Sequence, residues 1–333
     1  MKVGIFLNTT SGPDKQEYLY KFARGVARLG DEVVLAKKSK YVDCDLALIF
    51  GFYNKNISGQ STHLYRKKIF EEHTKRGKKC LFIDADLFRF AGKIVAKKAS
   101  DPTHHVRIAY GSIYPDEANY FNKNSPPDRW NIIRRRKKIE LLNWRSSGKH
   151  ILICANSDPD YGRGWATKGV GMSKWLRKTV KEIRKISDRP IIVRYHPNGK
   201  PHVKKTRDWK ALAEFENIKF SGGITLDNKY SKFVIKNTSM IDDCKNAHAC
   251  VVYNSSASVI CILNGIPVFT SRKDCPAYPV ANKDIRNLEN PILYDRSQWL
   301  HDLSYSVWTK KEMEQGIPWR RIKNGIVSSN KLR

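Results

Sequence analysis

The stretch VVYNSSASVICILNGIPVFTS, residues 251–271, carries the clearest fold signal in the chain. An apolar run ends in a cluster of small polar residues, and a helical pattern follows it. A glycine and a proline then precede a second apolar run. A strand, a helix and a second strand in this order predict one unit of a parallel sheet with helices on its faces.

The polar cluster lies where the predicted helix begins. Asn254 or Ser255 is expected to be the N-cap, with Ser256 and Ser258 in the first turn. Free backbone N–H groups and the positive end of the helix dipole favour an anion there, and serine hydroxyls would add donors. Ordinary capping is the alternative, although it needs only one such side chain.

The strand–helix alternation recurs along both halves of the 333 residues. Apolar runs that read as strands alternate with helical patterns, and a segment with a proline pair and a basic run separates the halves. The prediction is an α/β protein with two Rossmann-like parallel-sheet domains facing a cleft. The predicted parts are an N-terminal Rossmann-like domain (1–125), a basic linker (126–148), a C-terminal Rossmann-like domain (149–308), and a helix with a basic tail (309–333).

The charge balance is strongly positive. The chain has 62 Lys and Arg against 32 Asp and Glu, a formal net charge of +30. Such a field concentrates polyanions, so nucleic acid is the first candidate partner, and an acidic membrane surface or polysaccharide is the second. A merely soluble lysine-rich surface is the alternative.

The sequence also predicts what kind of protein this is. No apolar run approaches the roughly 20 residues of a transmembrane helix, and the N-terminus does not read as a secretory signal. Seven cysteines, an odd number, lie mostly in apolar runs. This placement favours buried, reduced thiols and therefore a cytoplasmic location, which is the cytoplasm of the host cell if the protein is viral. No Cys or His spacing is typical of zinc, so no metal site is expected.

Two further segments are candidates for binding a donor phosphate. Arg194, His196 and Asn198 follow a predicted strand, and an arginine fork with an imidazole suits phosphate oxygens or a sugar hydroxyl. Arg163 and Lys168 lie in a glycine-rich loop that lacks the Walker pattern but can clamp a diphosphate or an acceptor. The alternative for His196 is a turn cap before the following proline.

Together, RYHPN and NSSASVICILNGIPVFTS resemble the C-terminal domain of GT-B glycosyltransferases, closest to the capsular-polysaccharide group related to Kdo transferases. FIDADLFRF resembles that group's E-D-G-F-x-R-S strand end, which places Asp84 on the acidic position and Arg89 on the arginine. Two positions depart from the family pattern. Tyr195 replaces a proline, and the acidic helix residue is absent near Ile260 and Cys261.

The resemblance implies sugar transfer from a nucleotide-sugar. Transfer needs a base near the acceptor hydroxyl and a cationic or dipolar site for the departing phosphate. Asp84 is expected to be the base and Asp86 its orienter, because their i, i+2 spacing lets both point the same way and repel each other. Capping of a strand-to-loop turn is the alternative. We expect no tightly bound cofactor and a nucleotide-sugar co-substrate, a UDP-sugar.

The acceptor is inferred from charge. A basic run beside Trp130 and a second basic cluster near the C-terminus predict phosphate contacts with duplex DNA, and the aromatic ring could hold an extruded base. The predicted DNA-binding residues are Trp130, Arg134, Arg135, Arg136, Lys137, Lys138, Arg320 and Arg321. The predicted reaction moves a hexose from a UDP-hexose to a 5-hydroxymethylpyrimidine, as phage enzymes of this fold do. The alternatives are a capsule or lipopolysaccharide transferase using a UDP- or CMP-sugar, and a non-catalytic nucleic-acid-binding protein. The sequence does not specify the oligomeric state.

Overall fold

A computed structural model describes residues 1–37, 40–52, 61–95, 98–156, 171–195, 212, 214–227, 232–235 and 238–331. The chain divides into two compact units. The first contains Met1–Ile139 together with Arg296–Arg333, and the second contains Glu140–Asp295. The boundaries predicted at 125, 148 and 308 are therefore shifted, because the basic segment forms a helix of the first unit and the last 38 residues return to it.

Strands are numbered in chain order. They are β1 Lys2–Phe6, β2 Glu32–Ala36, β3 Leu46–Phe50, β4 Cys80–Ala85, β5 His105–Tyr110, β6 His150–Cys154, β7 Ile191–Arg194, β8 Ile218–Phe220, β9 Ile224–Asp227, β10 Lys232–Ile235, β11 Ala247–Val252, β12 Val268–Phe269 and β13 Val307–Thr309. The α-helices of the described residues are α1 Pro13–Arg28, α2 Ser61–Thr74, α3 Asp128–Lys137, α4 Met172–Arg184, α5 Met240–Cys244, α6 Ala257–Leu263, α7 Ser297–Ser304, α8 Lys310–Glu314 and α9 Ile317–Lys331.

The sheet of the first unit has the order β13-β5-β4-β3-β1-β2. Strands β1 to β4 pair in parallel, as the alternation predicts. β5 runs antiparallel to β4, and β13 runs antiparallel to β5. Among the described residues no helix lies between β4 and β5, so these two strands meet as antiparallel neighbours.

Helix α1 shows why the first unit folds as it does. Pro13 occupies the first turn, where its missing N–H is no loss. Apolar side chains at helical spacing, including Tyr18 and Phe22, are fully buried on the sheet. Trp319 of α9 is also fully buried and packs edge-on against Phe22, with 6.0 Å between ring centroids. The C-terminal helix thereby completes the core of the unit that the N-terminus begins.

The second unit has a parallel sheet in the order β12-β11-β6-β7-β8, with β9 and β10 forming a separate antiparallel pair. β6 and β11 are buried along almost their whole length, as strands covered on both faces should be. Helix α4 covers one face with its buried residues Met172, Leu176, Val180 and Ile183.

Candidate functional site

The carboxyl ends of β1 and β3 are tied together in the first unit. Thr9 Oγ1 donates to the Phe6 carbonyl over 2.6 Å and accepts the Phe50 N–H over 3.0 Å. Arg66 of α2 extends over these ends, with Nε donating to the Thr9 carbonyl at 2.7 Å. Ligands of open α/β sheets bind at such an edge. Sequence analysis did not identify Arg66, which stands beside the buried Tyr65 in the helical pattern.

Asp84, the predicted base, lies at the same edge near the end of β4. Its Oδ2 accepts from Arg107, which is the cross-strand neighbour of Asp84 on β5. The Asp84 side chain is 27% exposed. Within the described part of the chain, its Oδ1 has no hydrogen-bond partner. The carboxylate is therefore held by one oxygen, and the other is available to accept a proton.

Arg107 is the positioning residue that the sequence did not reveal. Its guanidinium also hydrogen-bonds to the Tyr120 hydroxyl. Burial is the largest single influence on the pKa of Arg107 and acts to lower it, but Asp84 and Tyr120 together outweigh burial, so the net pKa is raised. Arg107 thus stays protonated and keeps the Asp84 carboxylate in place. Only the antiparallel register of β4 and β5 brings the two side chains together.

Asp86 does not share the orientation of Asp84. Its side chain is 1% exposed, forms an ion pair with Lys137 at 2.8 Å, and accepts the Phe88 N–H at 2.7 Å. The predicted repulsion between the two aspartates is wrong in physical terms, because each carboxylate has its own cation. β4 ends at Ala85, so Asp86 begins a turn instead of continuing the strand. Asp86 holds α3 to the end of β4 and does not orient Asp84.

The basic run on α3 is divided between surface and core. Four of its residues, Arg134, Arg135, Arg136 and Lys138, are exposed as predicted. Lys137 is buried with Asp86, and Trp130 is 5% exposed and packs against Phe88 at 5.8 Å. The prediction that Lys137 and Trp130 contact DNA was therefore wrong, since both belong to the face of α3 that packs on the first unit.

The C-terminal basic cluster is divided in the same way. Arg320 is exposed. Arg321 donates to the Phe121 carbonyl at 2.7 Å and to Ser125 Oγ at 2.8 Å, and its guanidinium lies 4.2 Å from the centroid of Tyr305. Arg321 therefore holds α9 to the loop before α3, and its predicted contact with DNA stays a prediction.

In the second unit, Arg194 ends β7 and is already engaged. Its Nη1 pairs with Asp243, donates to the Thr238 carbonyl at 2.8 Å and lies 3.4 Å from Ser221 Oγ. The Arg194 side chain is 13% exposed. The prediction that Arg194 binds a phosphate or a sugar hydroxyl stays a prediction, and part of its guanidinium binds the buried Asp243. The other residues predicted in this group, His196, Asn198, Arg163 and Lys168, lie outside the described residues.

The polar cluster after β11 is built differently from the prediction. Ser256 is the N-cap of α6 and makes no capping hydrogen bond through its side chain. Ser258 is fully buried, and its hydroxyl donates back to the Ser255 carbonyl at 2.7 Å. Ser255 Oγ accepts the Ala257 N–H at 3.3 Å. The prediction that Ser258 faces a ligand was wrong, and only Ser256 of the three serines is exposed.

Asn254 joins neighbouring strand ends instead of capping the helix. It accepts from Asn156 Nδ2 at 2.8 Å and donates to Asp274 Oδ2 at 2.9 Å. Asp274 is in turn bound twice by Arg272, with both distances 2.9 Å. This chain of hydrogen bonds fixes the carboxyl ends of β6, β11 and β12 relative to one another.

A cavity of about 570 Å³ lies in the second unit between α4 and the ends of β11 and β12. Trp175 and Tyr253 line it with perpendicular rings 5.7 Å apart, and Arg272 lies 4.8 Å from the Tyr253 centroid. Lys178 and Lys283 add two cations to the lining, and Glu182 and Asp284 add two carboxylates. The volume falls within the range of about 300–1,000 Å³ typical of small-molecule sites. An aromatic wall with cations suits a ligand that combines a planar ring with an anion.

All seven cysteines are buried free thiols, as predicted. No helix among the described residues is long and apolar enough to cross a membrane. Within the same part of the chain, no three His, Cys, Asp or Glu side chains are arranged to hold a metal ion.

Two solved structures are similar over most of the chain. The beta Kdo 2,4 transferase KpsC of Thermosulfurimonas dismutans has a TM-score of 0.51 and 12% identity, covering 93% of this chain and 92% of its own. The beta Kdo 2,7 transferase KpsC of that organism has a TM-score of 0.50 and 12% identity, covering 96% and 100%. The fold is of the GT-B type. A UDP co-structure of S. aureus MnaA matches less well, with a TM-score of 0.32 and 11% identity, covering 100% of this chain and 97% of its own. No protein-family model and no curated protein matches the sequence.

Proposed function

We propose that the protein is a glycosyltransferase that moves a hexose from a UDP-hexose to the hydroxyl of a 5-hydroxymethylpyrimidine in duplex DNA. The observation that carries the proposal is Asp84, whose Oδ2 is held by Arg107 while Oδ1 is open at the carboxyl edge of the first sheet. A carboxylate fixed in this way is suited to take the proton from an acceptor hydroxyl as the sugar bond forms. The GT-B-type fold supports this assignment of the first unit to the acceptor.

The donor is assigned to the second unit. Its cavity has the size and the aromatic and cationic lining that a nucleotide requires. The exposed Ser256 and the part-exposed Asn254 lie at the adjacent strand end, and Arg194 is a further cation at the end of β7. These groups would stabilise the negative charge of the departing nucleotide, which is where electrostatic catalysis of sugar transfer acts. Such an enzyme would act in the cytoplasm, where UDP-sugars and DNA meet.

The acceptor assignment rests on charge. The formal net charge is +30, and α3 exposes three consecutive arginines, 134–136. Arginine contacts of this kind supply affinity for a phosphate backbone without reading its sequence. The KpsC proteins named above are Kdo transferases, so a glycan acceptor is the second candidate, with a UDP- or CMP-sugar donor.

The deciding experiment offers labelled UDP-glucose to the full chain with three acceptors: DNA containing 5-hydroxymethylcytosine, unmodified DNA of the same sequence, and a lipid-linked glycan. We expect incorporation only into the hydroxymethylated DNA. Asp84→Asn should lower kcat/KM by roughly 10²–10⁴, the usual contribution of a general base. The matched variant Asp14→Asn removes an exposed carboxylate of α1 and should keep full activity. Incorporation into the glycan alone would overturn the DNA assignment, and full activity of Asp84→Asn would overturn the base.

DNA binding has its own measurement. Replacing the three exposed arginines 134–136 by alanine should reduce the slope of log affinity against log salt by about 2.7, since each phosphate contact contributes about 0.9. A matched triple variant, Lys174→Ala/Lys181→Ala/Lys185→Ala, removes the same charge from exposed positions of α4 and its C-cap and should reduce the slope by less. Equal slopes for the two triple variants would contradict a DNA surface on α3.

A further inference from the structure

The guanidinium of Arg66 occupies the centre of the carboxyl edge of the first sheet. Nε donates to the Thr9 carbonyl after β1 at 2.7 Å, and Nη1 donates to the Phe52 carbonyl after β3 at 3.1 Å. Gly51 makes room for it. A Cβ there would lie 2.9 Å from Arg66 Cζ, and the φ of +77° already favours glycine. The chain therefore brings an arginine to the place where ligands of such sheets bind.

Among the described residues, the positive and negative charges at this edge do not balance. Arg107 is paired with Asp84, and Arg66 is close enough to Asp84 for that carboxylate to raise the pKa of its guanidinium. Burial has the larger and opposite effect and lowers the pKa of Arg66. Two guanidiniums thus share one carboxylate. Within the described residues, Arg66 Nη2 has no hydrogen-bond partner.

We propose that Arg66 binds an anionic group of the acceptor, a phosphate or a carboxylate that lies next to the reacting hydroxyl. The inference rests on the proposed function and adds the chemistry of the acceptor to it. An anion on Nη2 would neutralise the surplus positive charge of the edge. It would also place the neighbouring hydroxyl beside the open Oδ1 of Asp84. A nucleotide phosphate and the carboxylate of a sugar acid have this chemistry in common, because both accept hydrogen bonds from a guanidinium.

A purely structural role would predict something different. Arg66 holds two backbone carbonyls, so its loss lowers stability whether or not an anion binds. A structural arginine, however, gives no preference for an anionic ligand over a neutral one of the same shape. The preference is therefore the quantity to measure, and the melting temperature is recorded only to show that each variant is folded.

The experiment titrates the full chain by calorimetry with two matched pairs of probes, in excess UDP to occupy the donor site. One pair is 5-hydroxymethyl-2′-deoxycytidine 5′-monophosphate and the same nucleoside without phosphate. The other is the methyl glycoside of Kdo and its methyl ester. We expect the anionic member of one pair to bind roughly tenfold to a hundredfold more tightly, as a hydrogen bond between charged groups allows. The pair that shows the preference identifies the source of the anion.

The variants assign the preference to Arg66. Arg66→Met should abolish it, and Arg66→Lys should keep a small part of it because the charge remains while the fork is lost. Lys68→Met removes an exposed charge from the same helix and should leave the preference unchanged. The inference is overturned if neither pair shows a preference, if Arg66→Met retains it, or if Lys68→Met weakens it equally.

The two proposals fail separately. If the protein transfers sugar and Arg66→Met still prefers the anionic probe, the proposed function stands and this inference is wrong. An anion preference that depends on Arg66, with no transfer to any acceptor, would support the anion site and remove the proposed function.

Discussion

The end of β4 and the segment after β11 each contain two polar residues at i, i+2 spacing, and in both only one of the two faces solvent. Asp84 is part-exposed while Asp86 is buried. Ser256 is exposed while Ser258 is buried. The causes differ. Asp86 follows the last strand residue and turns inward, whereas two residues along a helix rotate a side chain by about 200° to the opposite face. One position in each pair therefore packs into the structure, and the other faces solvent.

Loss of the inward aspartate should have the largest effect on stability. Asp86→Asn leaves Lys137 buried without its counter-charge, and breaking such a pair costs about 3–5 kcal/mol. Asp84→Asn should cost less than half as much, because the Asp84 side chain is more exposed than that of Asp86. Urea unfolding of the two variants measures the difference. Equal losses would remove the distinction between the two aspartates.

The second-largest effect on the free energy of unfolding should come from pH. Burial is the main cause that lowers the pKa of His105 to about 4, with Asp86 opposing it. The unfolded chain binds this proton near pH 6.5. Between these values the unfolded state therefore holds more protons, so stability is present above pH 6.5 and is lost as the pH falls towards 4. The loss should be about 3 kcal/mol.

Unfolding free energies at several pH values between 4 and 7 test this expectation. His105→Gln should make the profile less steep, while the buried His73, whose pKa burial also lowers to about 4, keeps part of the dependence. His301→Gln, which replaces a partly exposed side chain, should leave the profile unchanged. A profile that stays equally steep without His105 would place the pH dependence elsewhere in the chain.

The serine pair should show the smallest effects. Ser258→Ala removes a buried hydrogen bond to the Ser255 carbonyl and should cost about 1 kcal/mol. Ser256→Ala removes an exposed hydroxyl without a capping bond and should stay within about 0.5 kcal/mol. The order should be the opposite for the KM for the UDP-sugar, because only Ser256→Ala should raise it. A larger KM change for Ser258→Ala would contradict the inward assignment.

Much of the fold follows from the sequence because it depends on local periodicity. Apolar runs, helical spacing and glycine stops predict the α/β class and two Rossmann-like sheets. The return of residues 296–333 to the first unit is not local. β13 has three residues and pairs with β5, some 200 positions earlier. Nothing in so short a strand signals its partner.

The site was less predictable than the fold. Asp84 and Asn254 are at strand ends, and a strand end is visible in sequence. Arg107 reaches Asp84 only through the antiparallel register of β4 and β5, and Arg66 comes from the middle of a helix. Trp130 was misassigned because a run of basic residues hides the buried face of a short helix.

The first unit is built from two separate segments of the chain, and this sets the order in which its parts can fold during synthesis. Residues 1–139 are synthesised long before residues 296–333. Until the later segment is made, the first sheet lacks β13, and α1 lacks Trp319, which packs on Phe22. The second unit is continuous and can close while the first is still incomplete. A nascent chain stalled near residue 295 would therefore expose the apolar surface of α1. Synthesis of residues 296–333 covers this surface and so protects the nascent protein from aggregation.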